Sequence, residues 1–254
     1  MEEKGGLSDA QYGFWKGRSI VQAGQNQDDG HGGWTSMVDV QNALNSVNWD
    51  IILQEMNEKG VSIYLKELIS EYLRDRQIEI GRGGNKLSIS AYVPQGSVLG
   101  PTLWNIFSDG VLRLGWPRGM IAIGFADDLA LVVKSNDCNE LMNKANVGLE
   151  MVTRWMEENR LQVAPNKSEA IFLKSYGYLR NLHFRVVNVH VLPTKAVKYL
   201  GVTWDSHGTF GNHVTLVARK TEEKIGKLAS LVPNIKGPDS GKRKVICGVA
   251  YSGA

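Results

Sequence analysis

Two cysteines, Cys138 and Cys247, are all that the 254 residues contain. That scarcity excludes a disulfide framework and a cysteine-based zinc site, and it fits a reducing compartment. Long apolar runs are missing too: no stretch approaches the roughly 18 residues that a membrane-spanning helix needs. The opening Met1-Glu2-Glu3-Lys4-Gly5-Gly6 has neither the basic region nor the apolar core of a signal peptide. No internal repeat or low-complexity segment stands out, and no membrane partner is expected. What is present is a globular composition, with 43% hydrophobic residues, enough for a substantial core in one large domain or two smaller ones.

The formal charge of +3 conceals a segregation. Residues 1–164 carry 15 Lys+Arg against 21 Asp+Glu, whereas residues 165–254 carry 14 against 5. Lys195, Lys198, Arg219, Lys220, Lys224, Lys227, Lys236, Lys242, Arg243 and Lys244 give the second part a positive face able to hold a phosphate backbone through counterion release. The competing reading is a solvated helix surface. His207 and His213 lie close in sequence without cysteine partners and read as surface residues.

Periodicity predicts a mixed α/β (α+β) layout. Asn48 to Asn57 reads as a short helix, and Leu65, Leu68, Ile69, Tyr72 and Leu73 give a second helix its apolar face. Gln77 to Ile80 and Leu87 to Val93 are strand-like, joined by a glycine-rich turn. Pro101 opens a helix with Leu103, Ile106, Phe107 and Val111 at helical spacing. Asp137 and Glu140 have capping-box spacing ahead of Leu141, Ala145, Leu149, Val152, Trp155 and Met156, a helix expected to cover one face of a sheet.

The most informative stretch is Ile121 to Val133, two apolar runs separated by Asp127-Asp128. It predicts a β-hairpin with both carboxylates at its tip. Such loops favour Asn-Gly or Asp-Gly, so paired aspartates break the local preference and set like charges side by side, a cost that a bound divalent cation removes. An ordinary turn is the competing reading. A third carboxylate, Asp39, sits in the strand-like Thr35 to Val40. Phosphoryl transfer with two metals about 3.5 to 4 Å apart needs acidic groups of this kind.

At these residues the chain resembles a family. Val38 to Trp49, then Val93-Pro94-Gln95-Gly96-Ser97-Val98-Leu99-Gly100-Pro101, then Phe125-Ala126-Asp127-Asp128 are similar, in order and spacing, to successive palm motifs of reverse transcriptases. Downstream, Asn159-Arg160-Leu161, Asn166-Lys167-Ser168-Glu169 and Lys198-Tyr199-Leu200-Gly201-Val202 resemble the closing palm motifs of the non-LTR, jockey-like retrotransposons of insects. Gln11 to Ser19 resembles the last fingers motif of the same group.

The resemblance implies a palm with an antiparallel sheet packed on helices: residues 1–35 a remnant of fingers, 36–204 palm, 205–254 a partial basic thumb. It implies an RNA-directed DNA polymerase that joins dNTPs to a primer 3′-hydroxyl. Asp39, Asp127 and Asp128, with Val40 beside them, would hold two Mg²⁺ (or Mn²⁺) ions, and Lys167 would serve the pyrophosphate leaving group. Leu44, Gln95, Gly96, Lys16 and Arg18 would contact nucleotide or template, and Tyr199, Leu200 and Gly201 would grip the primer. RNA template, DNA primer and the element's own RNA are the implied partners, and nucleus and cytoplasm the implied locations. The sequence leaves the oligomeric state open. Leu44 stands where the family usually carries a bulky aromatic residue, and Trp15 where it carries an arginine. The chain begins at the last fingers motif and stops within the thumb, so it is expected to be a fragment or a decayed copy. The rival expectation is a silent remnant that only binds nucleic acid.

Overall fold

The computed structural model describes residues 6–19, 22, 33–38, 40–41, 46–79, 81, 84–89, 91–93, 96–173, 183–231, 241, 244 and 247–248. The chain divides into two compact units, residues 1–195 and 196–254.

The first unit is built on a four-stranded antiparallel sheet of β1 (Gly33–Val38), β5 (Met120–Phe125), β6 (Asp128–Lys134) and β8 (Glu169–Leu173), in the order β5-β6-β1-β8. In β6, Leu129, Leu131 and Val133 join the main core, and Ala130 and Val132 are buried on the opposite face. Both faces are therefore covered, which is why the strand reads as a continuous apolar run rather than an alternating one. The neighbouring strand β2 (Val40–Gln41) pairs instead with β7 (Gln162–Val163).

Helices α1 (Trp49–Glu58), α2 (Ile63–Leu73), α3 (Gly100–Leu112) and α4 (Cys138–Glu158) supply much of the rest of the core. Asn48 caps α1 and Asp137 caps α4, each side-chain oxygen accepting a first-turn backbone N–H, from Asp50 and Glu140 respectively. The reciprocal half of the predicted capping box goes elsewhere: the Glu140 carboxylate accepts the Ser135 hydroxyl. All six predicted apolar positions of α4 are buried. The helix can lie close on the sheet because Gly148 has no side chain; a Cβ there would sit 2.2 Å from the Met120 methyl.

Two expectations are corrected. On α2 only Ile69 and Leu73 are buried, while Leu65 and Leu68 are 44% and 53% exposed, because the helix meets its neighbours along a narrower stripe than its apolar residues define. The β3–β4 hairpin, Gln77–Glu79 against Lys86–Ser88, ends earlier than predicted. Its continuation leaves that pairing: Ala91 forms a bridge with Asn48, and the Tyr92 carbonyl accepts the Trp49 indole N–H at 2.8 Å. A second hairpin, β9 (Phe184–Val186) with β10 (Val189–Val191), buries Phe184 against Phe172.

The second unit contains the hairpin of β11 (Ala196–Tyr199) and β12 (Val202–Asp205), with α5 (Gly211–Leu231) after it. Asp205 ties the end of the hairpin to the turn ahead of α5: its carboxylate accepts the backbone N–H groups of His207 at 3.0 Å and Thr209 at 3.1 Å, and the Thr209 hydroxyl at 2.9 Å. His213 is structural as well, its Nδ1 accepting the Thr203 N–H at 3.3 Å.

Candidate active site at the β5–β6 turn

The hairpin expected from Ile121 to Val133 is present, with its loop one residue earlier than the sequence suggests. Phe125 pairs with Asp128, so the two loop residues are Ala126 and Asp127, and Asp128 opens β6. Both aspartates are exposed, and the buried strand begins at Leu129. Ala126 has φ +55°, a left-handed conformation that costs an L residue about 1 kcal/mol or more. The first loop position is where such turns want glycine.

Tertiary contacts impose that conformation. The segment Ala10 to Gly13 runs beside the end of β5, Tyr12 donating its N–H to the Gly124 carbonyl at 2.8 Å and Gly124 donating back to Ala10 at 3.0 Å. Gly13 then lies directly against the turn: a Cβ at this residue would fall 2.0 Å from the Ala126 nitrogen. Glycine is required here by contact rather than by dihedral angle. The segment is anchored in α3 through the buried pair Gln11 and Asn105, the Asn105 amide also donating to the Gly13 carbonyl at 2.9 Å.

On the other side of β6, β1 brings Val38 opposite Leu129, next to Asp128. Asp39, Leu44 and Gln95 lie outside the described residues, and of Val40 only its pairing with Val163 is described. Gly96 has φ +78° and open space where a side chain would be. The Ser97 hydroxyl beside it accepts the Gly100 N–H at 2.9 Å, at the start of α3. Lys167 is exposed on a single 3₁₀ turn, Pro165–Lys167, leading into β8.

In the fingers-like segment Lys16 is exposed, but the Arg18 guanidinium folds back on its own chain. It donates to the carbonyls of Ser8, Asp9 and Gln11 and pairs with the Asp9 carboxylate at 2.9 Å. In the second unit Tyr199 is buried, whereas Leu200 and Gly201 form the β11–β12 turn with φ +50° and +84°. Arg219, Lys220, Lys224 and Lys227 are exposed along α5, and Lys236, Lys242 and Arg243 lie outside the described residues.

A buried ionic cluster was not anticipated from the sequence. Asp109 of α3 is fully buried, and its carboxylate takes the Lys59 ammonium at 2.5 Å, the Arg113 guanidinium and the Ser8 N–H. Glu55 stands 3.7 Å from Lys59, and burial pushes its carboxyl above the usual value despite the ammonium nearby. Asn105, Asp109 and Arg113 recur at intervals of four, the first two within α3 and the third just past its end, and that spacing is the available signal.

Asp127 and Asp128 offer hard oxygen donors at an exposed turn, a donor set suited to Mg²⁺ or Mn²⁺. Among the described residues no group of three or more His, Cys, Asp or Glu side chains comes together. Residues 4–204 match the model of the family described as reverse transcriptase (RNA-dependent DNA polymerase). The chain belongs to the reverse transcriptase family.

The insect retrotransposon resemblance read from the motifs is borne out. The probable RNA-directed DNA polymerase from transposon BS of Drosophila melanogaster is 30% identical over 251 residues, covering 91% of this chain and 27% of that protein. The RNA-directed DNA polymerase from mobile element jockey of Drosophila melanogaster is 27% identical over 209 residues, covering 78% of this chain and 22% of the relative. This reverse transcriptase chain thus spans about a quarter of the length of these relatives. In fold it is similar to the apo telomerase of Candida tropicalis truncated from its C-terminal domain, with a TM-score of 0.56 at 9% identity over 78% of this chain and 39% of that one. The mixed helix and antiparallel-strand architecture expected of a palm is borne out by that likeness. Reverse transcriptases work with divalent metals, RNA templates and nucleotides.

Proposed function

We propose that residues 36–204 are the palm of an RNA-directed DNA polymerase of a non-LTR retrotransposon, with residues 1–35 from the fingers and 205–254 from the thumb. The observation that carries the reading is the turn itself. Two exposed carboxylates stand at a hairpin whose strained first residue is fixed by contacts from a distant segment, and strain of that kind collects at functional sites.

Asp39, Asp127 and Asp128 would hold two Mg²⁺ ions, Asp128 in an auxiliary role and Val40 adjoining. Bound there, such ions lower the pKa of the primer 3′-hydroxyl and steady the oxygen leaving the α-phosphate. Lys167 supplies a cation or a proton to the departing pyrophosphate. Gly96 lets the backbone approach the incoming dNTP and the template, and Gln95 and Leu44 add further contacts to them. Among the described residues of the fingers segment Lys16 is the exposed cation, and Arg18 is committed to its own backbone. Leu200 and Gly201 form the tip that meets the primer strand, Tyr199 supports it from below, and the lysines of α5 hold duplex phosphates. Action on the element's own RNA, in cytoplasm and nucleus, belongs to the same proposal.

The test is primer extension on an RNA template with dNTPs and Mg²⁺, comparing this chain with its Asp127→Asn, Asp128→Asn double variant. Extension by the parent and loss of at least about 100-fold in the variant, with an unchanged melting temperature, is the expected outcome. Equal extension by both places the chemistry elsewhere. No extension by either, with salt-sensitive binding to the primer–template duplex retained, makes the chain a binding module.

A further inference from the structure

The aspartate turn is held from one more direction. Trp104, on the first turns of α3, is 3% exposed and donates its indole N–H to the Ala126 carbonyl at 2.5 Å. Ala126 is the residue with φ +55°, so the bond falls on the one peptide of the hairpin that works against its own preference. Gly13 meets the nitrogen of the same residue, and Trp104 meets its carbonyl oxygen. The turn is bonded at the Ala126 carbonyl and closely packed at its nitrogen, immediately before Asp127.

We propose that Trp104 is a positioning residue for the metal-binding carboxylates: its N–H holds the Ala126 peptide in the left-handed bend that directs Asp127 and Asp128. The inference rests on the metal-site reading of the turn and deepens it. Groups that orient metal ligands without touching the metal change affinity by about 10- to 100-fold when they are removed. An alanine at positive φ also has a ready alternative, since without an external bond it relaxes towards negative φ and carries the next residue with it. The rest of the indole packs in the core beside Phe107, with ring centroids 5.7 Å apart. Phenylalanine at position 104 keeps the aromatic packing and removes that donor.

The experiment measures Mn²⁺ affinity of the full chain by the electron paramagnetic resonance of the free ion, with a thermal melt of each protein. The parent is compared with Trp104→Phe and with Phe107→Leu, a variant that loosens the same core and leaves the indole N–H bond to Ala126 in place. The expected result is affinity about tenfold weaker in Trp104→Phe and unchanged in Phe107→Leu, although Phe107→Leu melts lower than the parent. Unchanged affinity in Trp104→Phe overturns the proposal, and so does an equal loss in Phe107→Leu, which would make the effect one of core integrity. A parent that binds no Mn²⁺, or whose binding survives Asp127→Asn with Asp128→Asn, overturns the metal site itself. That result is visible before any Trp104 variant is compared.

Discussion

Two hairpins in this chain close with loops of the same length and solve the same problem in opposite ways. The β5–β6 loop, Ala126-Asp127, puts a left-handed φ on alanine and holds it there with Gly13 and Trp104, residues far away in the sequence. The β11–β12 loop, Leu200-Gly201, has positive φ at both positions, as type I′ turns require, and gives the second to glycine with nothing within 4 Å. One turn is braced from outside, and the other is built locally. The lesson is that a braced turn can carry residues that a local turn excludes, and here those residues are the two aspartates.

The sharpest way to break the comparison is Gly13→Ala. Its Cβ must displace backbone at Ala126, so a loss of about 3 kcal/mol is expected in urea unfolding of the chain, with an unchanged slope. A second substitution probes the local hairpin where it joins α5. Burial alone would raise the Asp205 carboxyl, but hydrogen bonds from the Thr209 N–H and hydroxyl and from the His207 and Phe210 N–H groups outweigh it and hold its pKa below the ordinary 3.8. A depressed acid stabilises the fold in full above its unfolded pKa and loses that contribution as the pH falls through the folded one. Asp205→Ala should therefore cost about 2 kcal/mol near pH 6, and the gap from the parent should narrow towards about pH 3, as read by urea melts at the two pH values. The smallest effect belongs to Gly201→Ala. Space is open there and only φ +84° is against it, so a loss of about 1 kcal/mol is expected by the same measurement. If Gly201→Ala costs as much as Gly13→Ala, the distinction between braced and local turns fails.

The buried face of helix α4 is legible, since Leu141, Ala145, Leu149, Val152, Trp155 and Met156 repeat at helical spacing behind Asp137, and all six are buried. The aspartate hairpin was legible as a hairpin. Its loop falls one residue earlier than the pattern suggests, because Ala126 reads as the end of the apolar run before the aspartates. The bend is set instead by Gly13 and Trp104, distant along the chain, and no window of sequence around the turn contains them. The same reason hid Gln11, Asn105 and Asp109: polar side chains are buried only when partnered, and these partners are 94 and 101 positions apart. On α2 the periodicity was correct but silent about how much of the apolar face a neighbour would cover, so Leu65 and Leu68 were misplaced.

The order of the main sheet has a consequence for how the chain is made. β1 is the first of its strands to be synthesised and also an inner one, with Gly33 paired to Lys134 on one side and to Leu173 on the other. Contacts so far apart slow folding, because a long loop must close before either ladder forms. At ordinary rates of translation, β1 waits on the order of ten seconds for its last partner. Until β6 is made both of its backbone edges are unpaired, and until β8 is made one still is, the condition under which strands join between chains. The strand that comes to rest beside the aspartates is thus a point of exposure while the protein is being born.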